Sequence, residues 1–262
     1  MNRIIKHCQR HRILYGLLIL LAVLVIGILL YVIATKDNVH EPQMEESHPY
    51  SGKNSVAVKP TNVPLEIDGI KDDVYEEVGT KISLDEYNLN YYSEPPLNED
   101  ATAYLTYDKE FLYVYVEITD THIDDRDPLI KLKDHVSVLI DFNYTRARVE
   151  YVNLFSNKVG YLSVACDNDY QLKHAYTEQQ YANEIMYYSV VDKSNNQYAI
   201  EMRLPFIDEF EGTFLGFEIM NTDCLDGVVR GVRTWNVDGS QMEKYTHCLG
   251  TLKLEENLWI EQ

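Results

Sequence analysis

The sequence predicts an all-β domain, an antiparallel β-sandwich, preceded by one transmembrane helix. Three observations predict this arrangement. An apolar run without charges covers residues 13–34, and about ten short stretches rich in β-branched and aromatic residues follow it, with turn-forming residues between them. After the apolar run, no stretch shows a helical pattern longer than about two turns, which favours two packed sheets over a mixed fold.

The apolar run is long enough to cross a membrane. It has 22 residues, and a bilayer core of ~30 Å needs about 20 residues in a helix. Basic residues precede the run and acidic residues follow it. The positive-inside rule therefore predicts a cytoplasmic tail over 1–12, a single pass through the cell membrane and an extracellular domain. A signal peptide cleaved after Ala34 is the alternative, although the run exceeds the usual apolar region of such peptides.

The rest of the chain divides into a linker, one domain and a short tail. Residues 35–62 are polar, contain three prolines and lack an apolar period, as is typical of a spacer. Residues 63–256 carry the strand pattern and are interpreted as a single domain. Residues 257–262 form the tail.

Alternating apolar and polar residues, with turn residues between them, define the strands of the domain. Residues 101–107 and 111–118 flank a turn at Asp108 and predict a hairpin. Residues 187–191 and 198–204 flank a polar turn and predict a second hairpin. Residues 149–155 and 159–164 flank Ser156-Asn157 and predict a third hairpin. Further strands are predicted over 136–141, 214–220 and 248–254.

The charge balance and the lack of catalytic motifs limit the function classes. Asp and Glu number 42 against 23 Lys and Arg, for a formal net charge of −19, which argues against nucleic acid as a partner. Neutral ligands and bound cations remain compatible with this charge. No nucleophile elbow, phosphate-binding loop or zinc-protease motif occurs in the sequence, so an enzyme is not expected.

Two acid-rich loops offer oxygen ligands for a hard cation. Asp120, Asp124, Asp125 and Asp127 fall within eight residues, and these four are the predicted Ca²⁺ ligands. A smaller cluster spans 223–227. A solvated acidic loop is the alternative for both, since neither matches the spacing of an EF-hand.

The cysteines leave two interpretations open. Cys8 is predicted to be cytoplasmic and Cys166, Cys224 and Cys248 extracellular. A disulfide between Cys224 and Cys248 is one interpretation, and buried free thiols are the other.

Short motifs in the domain occur in an order that resembles family 9 carbohydrate-binding modules. They are Ile67-Asp68-Gly69 with Tyr75, Ala101 to Ala103 with Tyr107-Asp108, Asp134 to Asp141, Tyr198 to Pro205, Leu215 to Ile219 with Thr222-Asp223, Trp235, and Gly250 to Leu254. The resemblance covers about residues 63–254. It implies a β-sandwich of the DOMON-like kind that binds saccharides, often holds structural Ca²⁺ and has no catalytic activity.

The resemblance also implies four ligand-binding residues. Arg148 lies in a run similar to the R-V-x-Y-x-N of sugar-binding members, where its guanidinium is suited to bidentate hydrogen bonds with adjacent hydroxyls, and Asn153 belongs to the same run. Trp235 matches an aromatic position of the family, and Tyr245 lies near the position of a second stacking residue. The alternatives are an exposed strand arginine for Arg148 and a core aromatic for Trp235.

The chain departs from sugar-binding members of this family at several positions. Ser137 stands where those members have Glu, Met220 stands where they have Gln, and their pair of stacking tryptophans is absent. Tyr144, Trp235 and Tyr245 are the candidate replacements for the tryptophans.

Two function hypotheses follow from these patterns. The first is a membrane-anchored, extracellular, non-catalytic protein that binds a polysaccharide or oligosaccharide. The second is a structural or protein-interaction module of the cell envelope that has lost the sugar site and binds an envelope protein. An enzyme acting on surface glycans is a third possibility, which nothing beyond the abundant carboxylates supports.

Overall fold

A computed structural model of the chain describes residues 54–85, 98, 100–144, 158–207, 210, 213–236 and 249–255. These residues all lie in one compact unit, which extends from Tyr50 to Gln262. The predicted cytoplasmic tail, 1–12, and the predicted membrane segment, 13–34, lie outside the described residues. No helix within the described ranges is long and apolar enough to cross a membrane.

Two packed sheets make up the described part of the domain. The seven-stranded sheet has the spatial order β1 (Ser55–Val58), β12 (Gly250–Leu254), β10 (Phe214–Leu225), β5 (His135–Asp141), β6 (Val159–Ala165) and β7 (Tyr170–His174), with β11 (Val228–Thr234) also paired to β10. The five-stranded sheet has the order β2 (Thr80–Ser83), β3 (Asp100–Tyr107), β4 (Phe111–Thr119), β9 (Gln197–Pro205) and β8 (Met186–Asp192). Helices are limited to α1 (Asp73–Glu77), α2 (Gln179–Ala182) and the 3₁₀ turns Ile130–Leu132 and Ala175–Thr177.

The predicted β-sandwich is confirmed. Two of the three predicted hairpins form, as β3 with β4 and as β8 with β9. The first strand of the third predicted hairpin, 149–155, lies outside the described residues. Every strand pair between the described strands is antiparallel except β1 with β12, which is parallel.

The strand β1 differs from the sequence prediction. It lies within the predicted linker, 35–62, so the spacer ends before Ser55. Only one of its four residues, Val58, is fully buried, because β1 is an edge strand held by backbone pairing with β12. Such a strand carries a weak alternation of apolar residues, which the surrounding polar residues conceal.

The main core lies between the two sheets. Its fully buried members come from both, and include Leu105, Val114, Val138, Leu162 and Phe217. Burying a side chain of this size contributes about 1.5–3 kcal/mol. This shared core fixes the faces of both sheets and thereby decides which residues point outward.

A second apolar cluster covers the outer face of the seven-stranded sheet. Its buried members are Leu139, Val159, Tyr161, Met220, Val232 and Leu249. Because both faces are covered, β5 and β6 are buried along their whole length and show no exposed alternate residue. The outer face of this sheet is therefore a packed surface near its centre.

Glu201 anchors the segment that covers the outer face of the five-stranded sheet. Its side chain is fully buried and accepts hydrogen bonds from the backbone N–H groups of Asp68 and Gly69 and from the Tyr75 hydroxyl, all at 3.1 Å. Burial raises the pKa of Glu201 to about 7, against these hydrogen bonds. The Ile67-Asp68-Gly69 motif and Tyr75 are thus explained by structure, since they hold this segment on the sheet.

Replacing Gly69 with alanine is expected to destabilise the domain by about 1–3 kcal/mol. The residue has φ +77°, and an added Cβ would lie 2.7 Å from Val190 Cγ2. Both the left-handed backbone and the close contact oppose a side chain here. Guanidinium unfolding of the Gly69→Ala variant measures the loss. Ile70→Ala is the control, because Ile70 is 65% exposed and should change stability by no more than about 0.5 kcal/mol. Equal stability of the two variants would show that the turn at Gly69 tolerates a side chain.

Candidate functional site

Three buried carboxylates meet at one end of the sandwich. Asp120 follows the last residue of β4, Asp134 precedes β5, and Asp223 lies in β10. One carboxylate oxygen from each lies within 4.8 Å of the others, and none of the three residues is more than 1% exposed. The strand register explains the contact. The β5–β10 pair opposes His135 to Thr222, so the next residues, Asp134 and Asp223, come side by side.

The electrostatics of this acidic cluster are unfavourable without a cation. The pKa of Asp134 is raised to about 8, first by burial and then by the charges of Asp120 and Asp223, although its oxygens accept hydrogen bonds from the backbone N–H groups of Asp124 and Cys224. Burial also raises the pKa of Asp120, and its Oδ2 has no hydrogen-bond partner within the described ranges. Three carboxylates this close cannot all stay ionised in a low-dielectric site unless a positive charge offsets them.

The basic side chains around the cluster pair with other acids. The pairs are Lys133 with Asp167 and Asp169, Arg126 with Asp124 and Asp226, and Lys193 with Asp125. None of these ion pairs involves Asp120 or Asp134. Carboxylate oxygens are the ligands that Ca²⁺ prefers, so the donor set fits this ion.

A cavity of about 260 Å³ opens beside Asp120. Its walls come from the segment after β4, the β8–β9 turn and the end of β10, and include Thr121, Arg126, Lys193 and Asn196. Asp120 is the member of the acidic cluster that lines this cavity. The cluster is thus approached from solvent on its Asp120 side.

A group of hydroxyls lies on the outer face of the seven-stranded sheet. The Ser137 hydroxyl of β5 hydrogen-bonds to the Ser163 hydroxyl and, at 3.1 Å, to the Tyr161 hydroxyl. The Ser163 hydroxyl donates a hydrogen bond to the Tyr161 hydroxyl at 2.7 Å. Met220 lies directly opposite Ser137 in the β5–β10 register. All four residues are at most 7% exposed, so these hydroxyls satisfy one another within the fold.

Glu218 of β10, on the outer face of the seven-stranded sheet, holds the end of β11 by hydrogen bonds. Its Oε1 accepts hydrogen bonds from the backbone N–H groups of Ile219, Trp235 and Asn236, and its Oε2 accepts one from the Asn236 side chain at 2.7 Å. Burial raises the pKa of Glu218 to about 8, against these four hydrogen bonds. This carboxylate therefore fixes the point where the chain leaves β11.

Comparison with known proteins assigns the family. Residues 67–257 match the family described as carbohydrate family 9 binding domain-like. The chain belongs to this family. We refer to the matched residues, 67–257, as the family 9 domain.

Solved structures support the fold of the family 9 domain. A family 9 carbohydrate-binding module from Caldicellulosiruptor kristjanssonii in complex with cellotriose is 18% identical, with a TM-score of 0.64 over 80% of this chain and 98% of that chain. A structure of a family 9 module from the same organism in complex with glucose is also 18% identical, with a TM-score of 0.64 over 80% and 100% of the two chains. At this level of identity the likeness shows the fold alone. No curated protein matches the sequence significantly.

The four predicted metal ligands of the family 9 domain have different surroundings. Only Asp120 belongs to the acidic cluster. Asp124 accepts hydrogen bonds from Arg126 and from the backbone of Gly227, Asp125 pairs with Lys193 at 3.4 Å, and Asp127 accepts a hydrogen bond from the Leu129 N–H. Asp124, Asp125 and Asp127 are thus bound by neighbouring side chains and backbone N–H groups and do not join the acidic cluster.

Asp134 and Asp223 complete the cluster and were not among the predicted ligands. Asp223 belongs to the second acid-rich loop, 223–227, and Asp134 precedes a strand with no other acid beside it in the sequence. Their separation along the chain hides their proximity. Only the pairing of β5 with β10 brings them together.

Of the four predicted saccharide ligands, Trp235 is the one within the described residues. Arg148, Asn153 and Tyr245 lie outside the described residues. Trp235 is 6% exposed and packs edge-on against Phe217, with 6.0 Å between the ring centroids. A stacking surface needs an exposed ring face, so this burial favours the core interpretation of Trp235 over a sugar platform.

Both described cysteines of the family 9 domain, Cys166 and Cys224, are buried free thiols. Cys224 forms no disulfide, and its Sγ lies 3.2 Å from the carbonyl oxygen of Lys133. Burial raises the pKa of Cys166 and of Cys224, which keeps both thiols protonated. The interpretation as buried thiols therefore holds for these two residues, and Cys248 lies outside the described ranges.

Proposed function

We propose that the protein is a membrane-anchored, extracellular, non-catalytic carbohydrate-binding protein. The observation that carries the proposal is the family match, which covers residues 67–257 and so includes nearly all of the domain. The related module from Caldicellulosiruptor kristjanssonii is described in complex with cellotriose and with glucose. Neutral glucose-containing saccharides are therefore the first ligands to test.

The engaged state of the buried carboxylates supports a binding rather than a catalytic role. Glu201 and Glu218 have raised pKa values, which is a property of many catalytic acids. Each of them, however, accepts several backbone N–H groups and holds a chain segment in place. Their perturbed pKa values therefore follow from structural burial.

We infer that Asp120, Asp134 and Asp223 hold a Ca²⁺ ion. The inference is supported by the buried Asp120 Oδ2 without a hydrogen-bond partner and by the close approach of three carboxylates. A bound divalent cation supplies the positive charge that lets all three stay ionised. Asp223 lies in β10 and Asp134 directly precedes β5, which pairs with β10, whereas Asp120 follows β4 of the other sheet, so the cluster joins the two sheets.

The proposed location of the protein depends on residues 13–34. Their length and the flanking charges support a membrane anchor with the domain outside the cell. Fractionation of cells tests this. Intact protein in the membrane fraction supports the anchor, and a secreted form that begins after Ala34 overturns it.

Calorimetry on the full chain tests the binding function. Because maltoside and glucoside detergents carry sugars, the protein should be purified in a detergent without a sugar headgroup. Saturable binding of cellotriose or glucose is expected, with sorbitol as an acyclic control of similar hydroxyl content. Folded protein that binds neither saccharide would overturn the proposal.

The buried hydroxyl group favours a second candidate function. Ser137 and Met220 lie side by side beneath neighbouring side chains, at positions where the sequence departs from sugar-binding members of the family. A domain that has lost its sugar site would serve as an interaction module for an envelope protein. Retention of a stoichiometric partner in sugar-free detergent, together with no saccharide binding, would favour this function.

A further inference from the structure

Two aromatic rings form a small exposed surface at one corner of the seven-stranded sheet. Tyr144 lies three residues after the end of β5, and Phe214 is the first residue of β10. Their ring centroids are 5.7 Å apart and the rings are tilted by 32°. Phe214 is 43% exposed, which is unusual for an aromatic side chain without a polar group.

Both side chains lie on the outer face of this sheet. Leu215 and Phe217 of β10 point into the core, so Phe214 points outward. The Tyr144 hydroxyl hydrogen-bonds at 3.2 Å to Thr251 Oγ1, and Thr251 lies opposite Gly216 in the β10–β12 register. Tyr144 is thereby placed over the same face, beside a strand position without a side chain.

The backbone holds Tyr144 in an uncommon conformation. Its φ is +49°, in the left-handed region, which bulky residues rarely adopt. The turn that imposes it contains hydrogen bonds from Asn143 N–H to Asp141 Oδ1 at 3.0 Å and from Tyr144 N–H to the Asp141 carbonyl oxygen at 3.3 Å. Local strain of this kind is concentrated at binding sites, so the placement of this ring calls for a functional explanation.

We propose that Tyr144 and Phe214 form the apolar surface on which one ring of the bound saccharide stacks. The proposal rests on the carbohydrate-binding function proposed above. A pyranose ring presents an apolar C–H face and a rim of hydroxyls, which suits an aromatic surface with polar neighbours. Lys253, which is exposed and lies opposite Phe214 in the register, supplies such a neighbour on the same face.

The size of this surface favours a sugar over a protein. A whole aromatic side chain buries about 150–250 Å² and these two are only partly exposed, whereas a stable protein interface buries about 800 Å² on each partner. One sugar ring needs no more area than the pair offers. Tyr144 also precedes the predicted ligand Arg148 by only four residues in the sequence.

Cellotriose titration of the full chain tests the proposal. In the detergent without a sugar headgroup, Phe214→Ala and Phe214→Leu are expected to weaken cellotriose binding about three- to tenfold. Phe214→Leu keeps an apolar side chain on the strand and removes only the ring. Tyr170→Ala is the matched control, because Tyr170 is 53% exposed on β7, and its affinity should stay within about twofold of the wild type.

The possible outcomes separate this proposal from the function on which it rests. Wild-type binding that both Phe214 variants weaken, with unchanged unfolding midpoints, supports the stacking role. Wild-type binding that both Phe214 variants retain overturns the stacking role and leaves the carbohydrate-binding function intact. A wild type that binds neither cellotriose nor glucose overturns both.

Discussion

Saturating Ca²⁺ is expected to raise the thermal unfolding midpoint of the domain by about 5–11 °C. An ion at about 100 times its Kd stabilises the folded state by about 2.7 kcal/mol, and a domain of this size gains about 2–4 °C for each kcal/mol. The reason is the cluster of Asp120, Asp134 and Asp223, whose buried carboxylates repel one another in the absence of a cation. Calorimetric scans with Ca²⁺ and with a chelator measure the difference.

The effect of Asp120→Asn on the stability of the domain should have opposite signs without and with Ca²⁺. Without Ca²⁺ it removes one buried acidic group from a cluster whose members cannot all be ionised, and it should stabilise the domain by about 1 kcal/mol or more. With Ca²⁺ it removes a ligand, so the midpoint should fall below that of the wild type. The change preserves the side-chain shape and the Oδ1 acceptor that binds the His122 N–H.

Asp127→Asn is the matched control within the same loop. Asp127 was among the ligands predicted from sequence, but its carboxylate binds the Leu129 N–H and does not belong to the cluster. This variant should retain the full response to Ca²⁺. If Asp127→Asn abolishes the response and Asp120→Asn preserves it, the ion binds in the acidic loop and the cluster is not its site.

The pH dependence gives a further measure of the same site. The folded pKa of Asp134 is raised to about 8 from an ordinary value of 3.8, so the folded state holds a proton that the unfolded state releases. This contribution is fully present below about pH 4 and is lost as the pH rises towards 8. Glu201 and Glu218 have raised pKa values and act in the same direction, with or without Ca²⁺. The stabilisation by Ca²⁺, taken as the difference between the two conditions, should therefore increase with pH.

The fold was predictable because the strands carry local signals. In β3 and β4, β-branched and aromatic residues flank a turn at Asp108, whose carboxylate binds the backbone N–H groups of Glu110 and Phe111. By contrast, β1 depends on its pairing with β12, nearly 200 residues later in the chain, and no local pattern announces such a partner. Local chemistry thus predicts hairpins well and edge strands poorly.

The candidate cation site was predictable only in part for a related reason. Asp120 stands in a visibly acid-rich loop, whereas Asp134 and Asp223 become neighbours through the β5–β10 register. The loop acids at 124, 125 and 127 looked equivalent to Asp120 in sequence, but adjacent basic residues and backbone N–H groups engage them. Sequence shows how many carboxylates a loop has, while burial together with the basic and backbone N–H groups around each carboxylate decides which of them need a cation.

Glu218→Ala is expected to destabilise the domain by about 3–5 kcal/mol. In a fully buried site, the substitution removes the Glu218 acceptor from the backbone N–H groups of Ile219 and Asn236, and it leaves the Trp235 N–H with only the Ile219 carbonyl oxygen at 3.3 Å; it also opens a cavity. The thermal midpoint should fall by about 6–20 °C, at about 2–4 °C for each kcal/mol. Urea unfolding gives the free energy directly.

Glu218→Gln separates the loss of the acceptor oxygen from the loss of the carboxyl group. Its amide oxygen can still accept the three backbone N–H groups, but its amide nitrogen faces the Asn236 side chain, which donates to the carboxylate in the wild type. The Asn236 amide has little freedom to turn over, because its Oδ1 accepts the Asn54 N–H at 3.0 Å. A cost of about 1–2 kcal/mol is therefore expected, clearly smaller than that of alanine.

The same two variants test whether the hydrogen bonds from Glu218 to the end of β11 matter for ligand binding. Trp235 and Asn236 begin the connection that carries the predicted ligand Tyr245, so releasing them should weaken cellotriose binding more in Glu218→Ala than in Glu218→Gln. Binding measured well below both unfolding midpoints excludes global unfolding as the cause. Equal stability and equal affinity of the two variants would mean that the acceptor oxygen retained by glutamine does not hold the end of β11.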